Sequence, residues 1–240
     1  MSQVGQAVEP FKLFGVQHIS ALLAVVALSA VAFKIGQSRF SDRANLLGGC
    51  LFAIYAVGLW SFKLKDGMDW GYDLPLALCD ITFLLCLACF IKPVPLWVTL
   101  ITYWGLGGTL QALITPDVVQ AFPSLEFTIF FVGHSVIVLA VFFLLGRVPH
   151  DRLAGWPGLR DSFLGLLLYT LVAGTIDFAF KLNYGYLREK PAGASILDHF
   201  GEWPYYIFAG LALGFAIFFV LSWLLKFLPA TDSASRAVDR

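Results

Sequence analysis

The stretch LEFTIFFVGHSVIVLAVFFLL, residues 125–145, contains only two ionisable side chains, Glu126 near its start and His134 in its interior. A helix that crosses the hydrocarbon core of a bilayer needs about 20 predominantly apolar residues, and this stretch meets that requirement. The rest of the chain is similar: 59% of its 240 residues are hydrophobic and 13% are charged. Because a soluble domain has about 25% charged residues, this composition indicates a polytopic membrane protein.

Seven apolar runs of this kind follow one another along the chain. They cover residues 16–35, 46–62, 74–91, 95–114, 125–145, 162–180 and 204–228. The connections between them are short, except for residues 181–203, and no linker divides them. We therefore predict an all-α fold, a single seven-helix transmembrane bundle over residues 1–228. Residues 229–240 are polar and predict a disordered cytoplasmic tail.

The basic residues predict how this bundle lies in the membrane. One side holds the N-terminus and the loops after helices two, four and six, and it carries six Lys and Arg residues against ten on the other side. Cytoplasmic loops carry an excess of Lys and Arg. We therefore predict an N-terminus outside and a C-terminus inside, in a multi-pass protein of the cell's inner (plasma) membrane.

Charge and cysteine usage exclude several classes of protein. The formal net charge is zero, which gives no sign of a nucleic-acid partner. Four cysteines, Cys50, Cys79, Cys86 and Cys89, all lie in apolar runs, so no disulfide framework is expected. Cys86 and Cys89 have C-x-x-C spacing, but no histidine lies near them in the sequence. We therefore predict no metal and no other cofactor.

A set of polar side chains lies inside the predicted spans or at their ends, on the predicted outer side. Its members are His18, Cys79, Asp80, Gln111, Thr115 and His134. At a helix rise of about 1.5 Å per residue, Cys79 lies roughly two turns below the start of helix three, and His134 lies about 12–14 Å below Glu126. Polar groups are costly in a bilayer, so their common level predicts one functional cavity open to the outside.

A thiol and an imidazole that meet form the minimal nucleophile–base pair, which makes Cys79 and His134 a candidate dyad. From spacing alone, a structural role is the more common one for each of these residues. His18 has the position of a cap or an inter-helix donor. Asp177, near the outer end of helix six, predicts an i,i+4 ion pair with Lys181.

Seven motifs, spread from helix one to helix seven, carry a resemblance to a known family. They are FKLFGVQH (11–18), LPLALCD (74–80), GGTLQALITPD (107–117), FPSLE (122–126), FFVGH (130–134), NYGYLREKP (183–191) and WPYY (203–206). Together they resemble the bacterial integral membrane family of YwaF type. That family is related to vertebrate multispanning proteins that include a cysteine-dependent phospholipid acyltransferase, and more distantly to lipid hydrolases of the androgen-induced-protein type.

The resemblance implies a helical bundle with a Cys–His site, in which Cys79 is the nucleophile and His134 the general base. Many members of the family have His at the position of Ala77 in this chain. Any proton transfer by that His is therefore absent here.

We accordingly expect an enzyme that transfers or hydrolyses lipid acyl groups in the outer half of the membrane, with a membrane phospholipid or fatty acyl substrate. Residues expected to support the site or to stabilise an oxyanion are Asp80, Gln111 and Thr115. Residues expected to bind the head group are Asp117, Asn183, Arg188 and Lys190.

The alternative is a transporter or ligand-binding seven-helix protein. The same outward-open polar cavity would then bind a solute or a proton through Asp80, Gln111 and His134. A rhodopsin-like photoreceptor is excluded, because helix seven has no mid-span lysine for a Schiff base and Lys226 lies at its end.

Overall fold

The computed structural model describes residues 9–71, 73–148, 152–191 and 195–228. Over these ranges the chain is helical and forms no strand, apart from an isolated bridge between Pro10 and Gln120. The predicted all-α fold is therefore confirmed. The predicted disordered tail, residues 229–240, lies outside the described residues.

Seven helices, labelled α1 to α7, make up the bundle in the described part of the chain. They are α1 (Val16–Gln37), α2 (Ser41–Asp66), α3 (Leu78–Ile91), α4 (residues 95–114), α5 (Leu125–Arg147), α6 (Gly155–Phe180) and α7 (Tyr205–Leu224). α4 consists of Pro95–Trp104, a π-helical turn over Gly105–Thr109, and Leu110–Ile114. Short 3-10 segments cover Tyr184–Tyr186, Ile196–Phe200 and Leu225–Phe227. By length and composition, α1, α2, α5, α6 and α7 are each able to cross a membrane.

α3 starts four residues later than the apolar run 74–91 predicts. The N–H of Leu76 donates to the carbonyl of Leu74 in a tight turn, and Ala77 is extended with φ −67° and ψ 150°. The 14 residues of α3 cover about 21 Å, less than the roughly 30 Å of a hydrocarbon core. Cys79 therefore lies in the first turn of α3, and the prediction that placed it two turns into the helix is wrong.

α1 and α5 pack closely because glycines allow their backbones to approach. A Cβ atom at Gly36 would overlap the carbonyl oxygen of Phe143, and one at Gly146 would overlap that of Phe33. α5 is buried along much of its length, so it forms the centre of the bundle. By contrast, α2 fully buries few residues and leaves space between itself and its neighbours.

The connections predicted to share one side of the membrane meet at one end of the bundle. The N–H of Phe11 donates to the carbonyl of Val119 over 2.8 Å. The hydroxyl of Tyr184 donates to the carbonyl of Trp70, also over 2.8 Å. We call this the Lys63 end of the bundle, after the basic residue of α2 that lies there.

Candidate functional site

A cavity of about 540 Å³ lies between α2, α3 and α5 at the Lys63 end. We call it the Cys79 cavity. The connection between α2 and α3 contributes Asp73 and Pro75 to its lining. The helices contribute Tyr55, Ala56, Leu59, Trp60, Lys63, Cys79, Asp80, Phe83, Leu84, Glu126, Ile129, Phe130, Gly133, His134 and Ile137.

Three of the nine predicted site residues, Cys79, Asp80 and His134, line this one cavity. They share this lining although Cys79 lies in the first turn of its helix and His134 in the third turn of α5. The short α3 explains this, because its N-terminus lies deeper in the bundle than the ends of its longer neighbours. Cys79 is half-buried and forms no disulfide, and no hydrogen bond joins its thiol to His134 in this structure. Catalytic hydrogen bonds of this kind often tighten only when substrate is bound.

The ring of His134 is oriented by the preceding turn of α5. Its Nδ1 lies 2.8 Å from the carbonyl oxygen of Phe130, and the two rings stack with centroids 4.2 Å apart. A carbonyl oxygen only accepts hydrogen bonds, so Nδ1 carries the proton of the neutral imidazole. Nε2 then has a free lone pair, which is the tautomer that a general base in this position requires.

The start of α3 has no side-chain cap beside the thiol. The N-cap residue Ala77 has no side-chain oxygen, and Ile81 is the first residue whose N–H bonds back to it. The N–H groups of the first turn, including that of Cys79, therefore have no acceptor within the helix. Such groups favour negative charge near them, and within a membrane they are tolerated where they line a cavity.

Lys63 and Asp73 form an ion pair in the cavity lining that the sequence did not predict. Lys63 Nζ lies 3.1 Å from Asp73 Oδ1, and Asp73 Oδ2 accepts the N–H of Asp69 over 2.8 Å. Desolvation alone would raise the pKa of Asp73, but the Asp69 N–H and Lys63 together lower it below its ordinary value. The predicted helix two ended at residue 62, whereas α2 continues to Asp66. Lys63 therefore lies on the same face of α2 as Tyr55, about two turns away. If helix two had been predicted to end at Asp66, the sequence would have shown this relation.

Gln111 and Thr115 do not line the Cys79 cavity. Gln111 lines a separate cavity of about 200 Å³ beside α7, and the Thr115 hydroxyl donates to the Gln111 carbonyl over 3.2 Å. His18 is fully buried, and its Nε2 donates to the carbonyl of Leu113 over 2.8 Å. The predicted inter-helix role of His18 is thus confirmed. The prediction of one cavity shared by all these polar residues is wrong.

The four predicted head-group residues also lie outside the Cys79 cavity. The side-chain oxygen of Asn183 accepts the N–H of Arg188 over 3.1 Å, and Lys190 Nζ lies 4.0 Å from a carboxylate oxygen of Glu202. Asp117 accepts the hydroxyl of Tyr186 over 3.1 Å. These contacts order the connection between α6 and α7 and join it to the end of α4.

Asp177 is fully buried and does not form the predicted ion pair with Lys181. Its Oδ1 instead accepts the N–H of Tyr184 over 3.0 Å. The Tyr184 hydroxyl accepts the N–H of Leu74 over 2.9 Å, in addition to its bond to the Trp70 carbonyl. Asp177 thus helps to hold the connection that leads into α3.

This geometry defines a multispanning helical membrane protein with a polar cavity at one end of its bundle. The model of the TMEM164 family matches residues 13–222, and the chain belongs to this family. No curated protein and no solved structure matches the chain. The family match includes every residue that lines the Cys79 cavity and confirms a multi-pass membrane protein. The resemblance to YwaF-type proteins and to acyltransferases stays a prediction.

Proposed function

We propose that this protein transfers acyl groups between membrane lipids, or hydrolyses them, with Cys79 as nucleophile and His134 as general base. The observation that carries the proposal is that both side chains line one cavity. Cys79 lies there at the start of α3, where the N-cap side chain forms no hydrogen bond. The bias of Lys and Arg residues supports a cavity in the outer half of the inner membrane.

In the first step, Nε2 of His134 accepts the proton of the Cys79 thiol. The sulfur then attacks the carbonyl carbon of a lipid ester, and the ester C–O bond breaks. The leaving alkoxide takes the proton back from His134 and departs as a lysolipid alcohol, which leaves a thioester on Cys79. In the second step, His134 accepts the proton of another lysolipid hydroxyl, or of water, and that oxygen attacks the carbonyl carbon of the thioester. The C–S bond breaks, and the departing thiolate takes the proton back from His134, which regenerates the thiol.

Backbone N–H groups are better placed than Gln111 or Thr115 to stabilise the oxyanion. The first turn of α3 presents N–H groups without a backbone acceptor beside the Cys79 sulfur, whereas Gln111 lines another cavity. One oxyanion-hole donor contributes about 3 kcal/mol to stabilising a transition state. The short α3 therefore supplies both the nucleophile and the donors that the reaction needs.

Lys63 is the residue of the cavity lining best suited to contact a lipid head group. An ammonium has three N–H donors, and Asp73 Oδ1 accepts from Lys63 at 3.1 Å. Two donors remain for ester or phosphate oxygens at the Lys63 end. A head group would contact the four residues predicted to bind it only at the surface of the loops. These residues are Asp117, Asn183, Arg188 and Lys190.

An acyl-exchange assay in proteoliposomes tests the proposal. It measures transfer of a labelled acyl chain from a phospholipid to a lysophospholipid. We expect Cys79→Ala to lose at least about 100-fold in rate, because the covalent route is removed. Cys50→Ala is the matched control, since Cys50 is also a free cysteine but lies away from the cavity. Undiminished exchange by Cys79→Ala would overturn the proposal.

One observation favours the alternative of a transporter or ligand-binding protein. Asp80 lines the cavity but forms no ion pair with a basic side chain in the described residues. A carboxylate in this position suits a cationic solute or a proton. Under this alternative, Cys79→Ser retains function, Asp80→Asn loses it, and Cys79 never carries an acyl group.

A further inference from the structure

We propose that one acyl chain of the lipid lies in a second cavity, which adjoins the Cys79 cavity along α2 on the side away from the Lys63 end. This inference rests on the proposed function and names the site of the chain within it. The second cavity has a volume of about 280 Å³ and lies between α1, α2 and α5. We call it the chain groove. Its lining includes Leu47, Leu51, Phe52, Val136, Leu139 and Phe143.

The two cavities adjoin one another along α2. Tyr55 lines both of them. Phe83, in the lining of the Cys79 cavity, stacks on Phe52 of the chain groove with ring centroids 4.9 Å apart. Phe52 in turn contacts Phe90 at 5.1 Å, and Phe90 contacts Phe143 at 5.8 Å. These rings form an unbroken aromatic wall from one cavity to the other.

The lining of the chain groove suits a hydrocarbon and no polar ligand. All of its described side chains are apolar except that of Tyr55. The Tyr55 hydroxyl already donates to the carbonyl of Ile129 over 3.3 Å. A polar group placed in the groove would lose its hydration without gaining hydrogen bonds.

The direction of the groove matches that of a lipid whose ester lies at Cys79. Along α5, Phe143 lies about 13 Å beyond His134, away from the polar Lys63 end. A head group at Lys63 and a chain in the groove thus lie along the bundle axis, with the chain directed toward the opposite end of the bundle. Leu47 and Leu51 are 61% and 56% exposed, so the chain has a lateral path from the bilayer.

The groove acts by orienting the chain. A chain that moves from the bilayer into the groove exchanges one apolar environment for another, so hydrophobic transfer contributes little to affinity. Fixing the chain instead holds the ester carbonyl near the Cys79 sulfur. Such positioning is a recognised source of rate acceleration.

Photo-crosslinking tests this inference without requiring catalysis. The full-length Cys79→Ala protein is placed in nanodiscs with a phospholipid that carries a diazirine at the middle of one acyl chain, and labelled residues are mapped by mass spectrometry. We expect Leu51 and Val136 to be labelled at least fivefold more than Leu168 and Leu171 of α6, which are more exposed to lipid than Leu51. Equal labelling of the two sets would overturn the inference.

A filling variant provides the second measurement. Leu51→Trp should reduce the labelling of Val136 at least fivefold, because the larger ring fills the groove. Ile54→Trp is the matched control, since Ile54 is 67% exposed on the same helix but does not line the groove. Unchanged labelling of Val136 in Leu51→Trp would also overturn the inference.

The two proposals fail separately. If the groove residues are labelled selectively but the wild-type protein forms no thioester on Cys79, the acyl-transfer mechanism is refuted and the chain groove is retained. A thioester on Cys79 without selective groove labelling would refute the chain groove alone.

Discussion

The substitution Tyr184→Phe should loosen the connection that leads into α3, at a distance from the thiol. Tyr184 is 5% exposed, and its hydroxyl bonds the N–H of Leu74 and the carbonyl of Trp70. Removing the hydroxyl leaves the Leu74 N–H without this acceptor, whereas water is able to replace the bond to the exposed Trp70. An unsatisfied donor costs about 1–3 kcal/mol when it is fully buried, and Leu74 is half-buried, so the connection should open about 1 kcal/mol more easily.

Hydrogen–deuterium exchange of the peptide around Leu74 measures this change. A loss of about 1 kcal/mol corresponds to roughly fivefold faster exchange, since 1.4 kcal/mol is tenfold. Acyl exchange should fall as well, because the connection carries Asp73 and sets the start of α3. Tyr205→Phe serves as the control, since Tyr205 is 70% exposed. Exchange in Tyr184→Phe within twofold of wild type would refute the idea that this hydroxyl holds the connection.

Three further variants test other parts of the account. His134→Ala should slow acyl exchange by about 100-fold or more, the usual contribution of a general base, in the proteoliposome assay. The pKa of Asp73 is lowered in the folded protein, so Asp73→Asn should be less stable than wild type near neutral pH. In thermal unfolding, the difference in melting temperature should vanish as the pH falls below about 3.9, the ordinary pKa of an aspartate. Gly36→Leu should lower the melting temperature through its overlap with α5, whereas Gly210→Ala, which meets no atom within 4 Å, should not.

The number of helices was predictable because it depends on apolar runs of sufficient length. The start of α3 was not, because Leu74, Leu76 and Leu78 are equally apolar whether the chain is helical or extended. Proline at position 75 was the available sign, since the residue before a proline is disfavoured in helical conformation.

The faces of the helices were not predictable for a different reason. In a membrane, both the lipid-facing and the packed sides of a helix are apolar, so periodicity does not show where a side chain points. Gln111 and His134 therefore looked alike in sequence, although they line different cavities. The residue types made Cys79 and His134 a candidate pair, the family resemblance implied their roles, and both line one cavity in the structure.

The most direct test of the central claim is mass spectrometry of the wild-type protein after incubation with phospholipid. The account predicts an acyl group on Cys79 that hydroxylamine removes, as expected for a thioester. The same modification should be absent from Cys79→Ala and retained in Cys50→Ala. Exchange of acyl chains with no acyl group on Cys79 at any time would contradict the account.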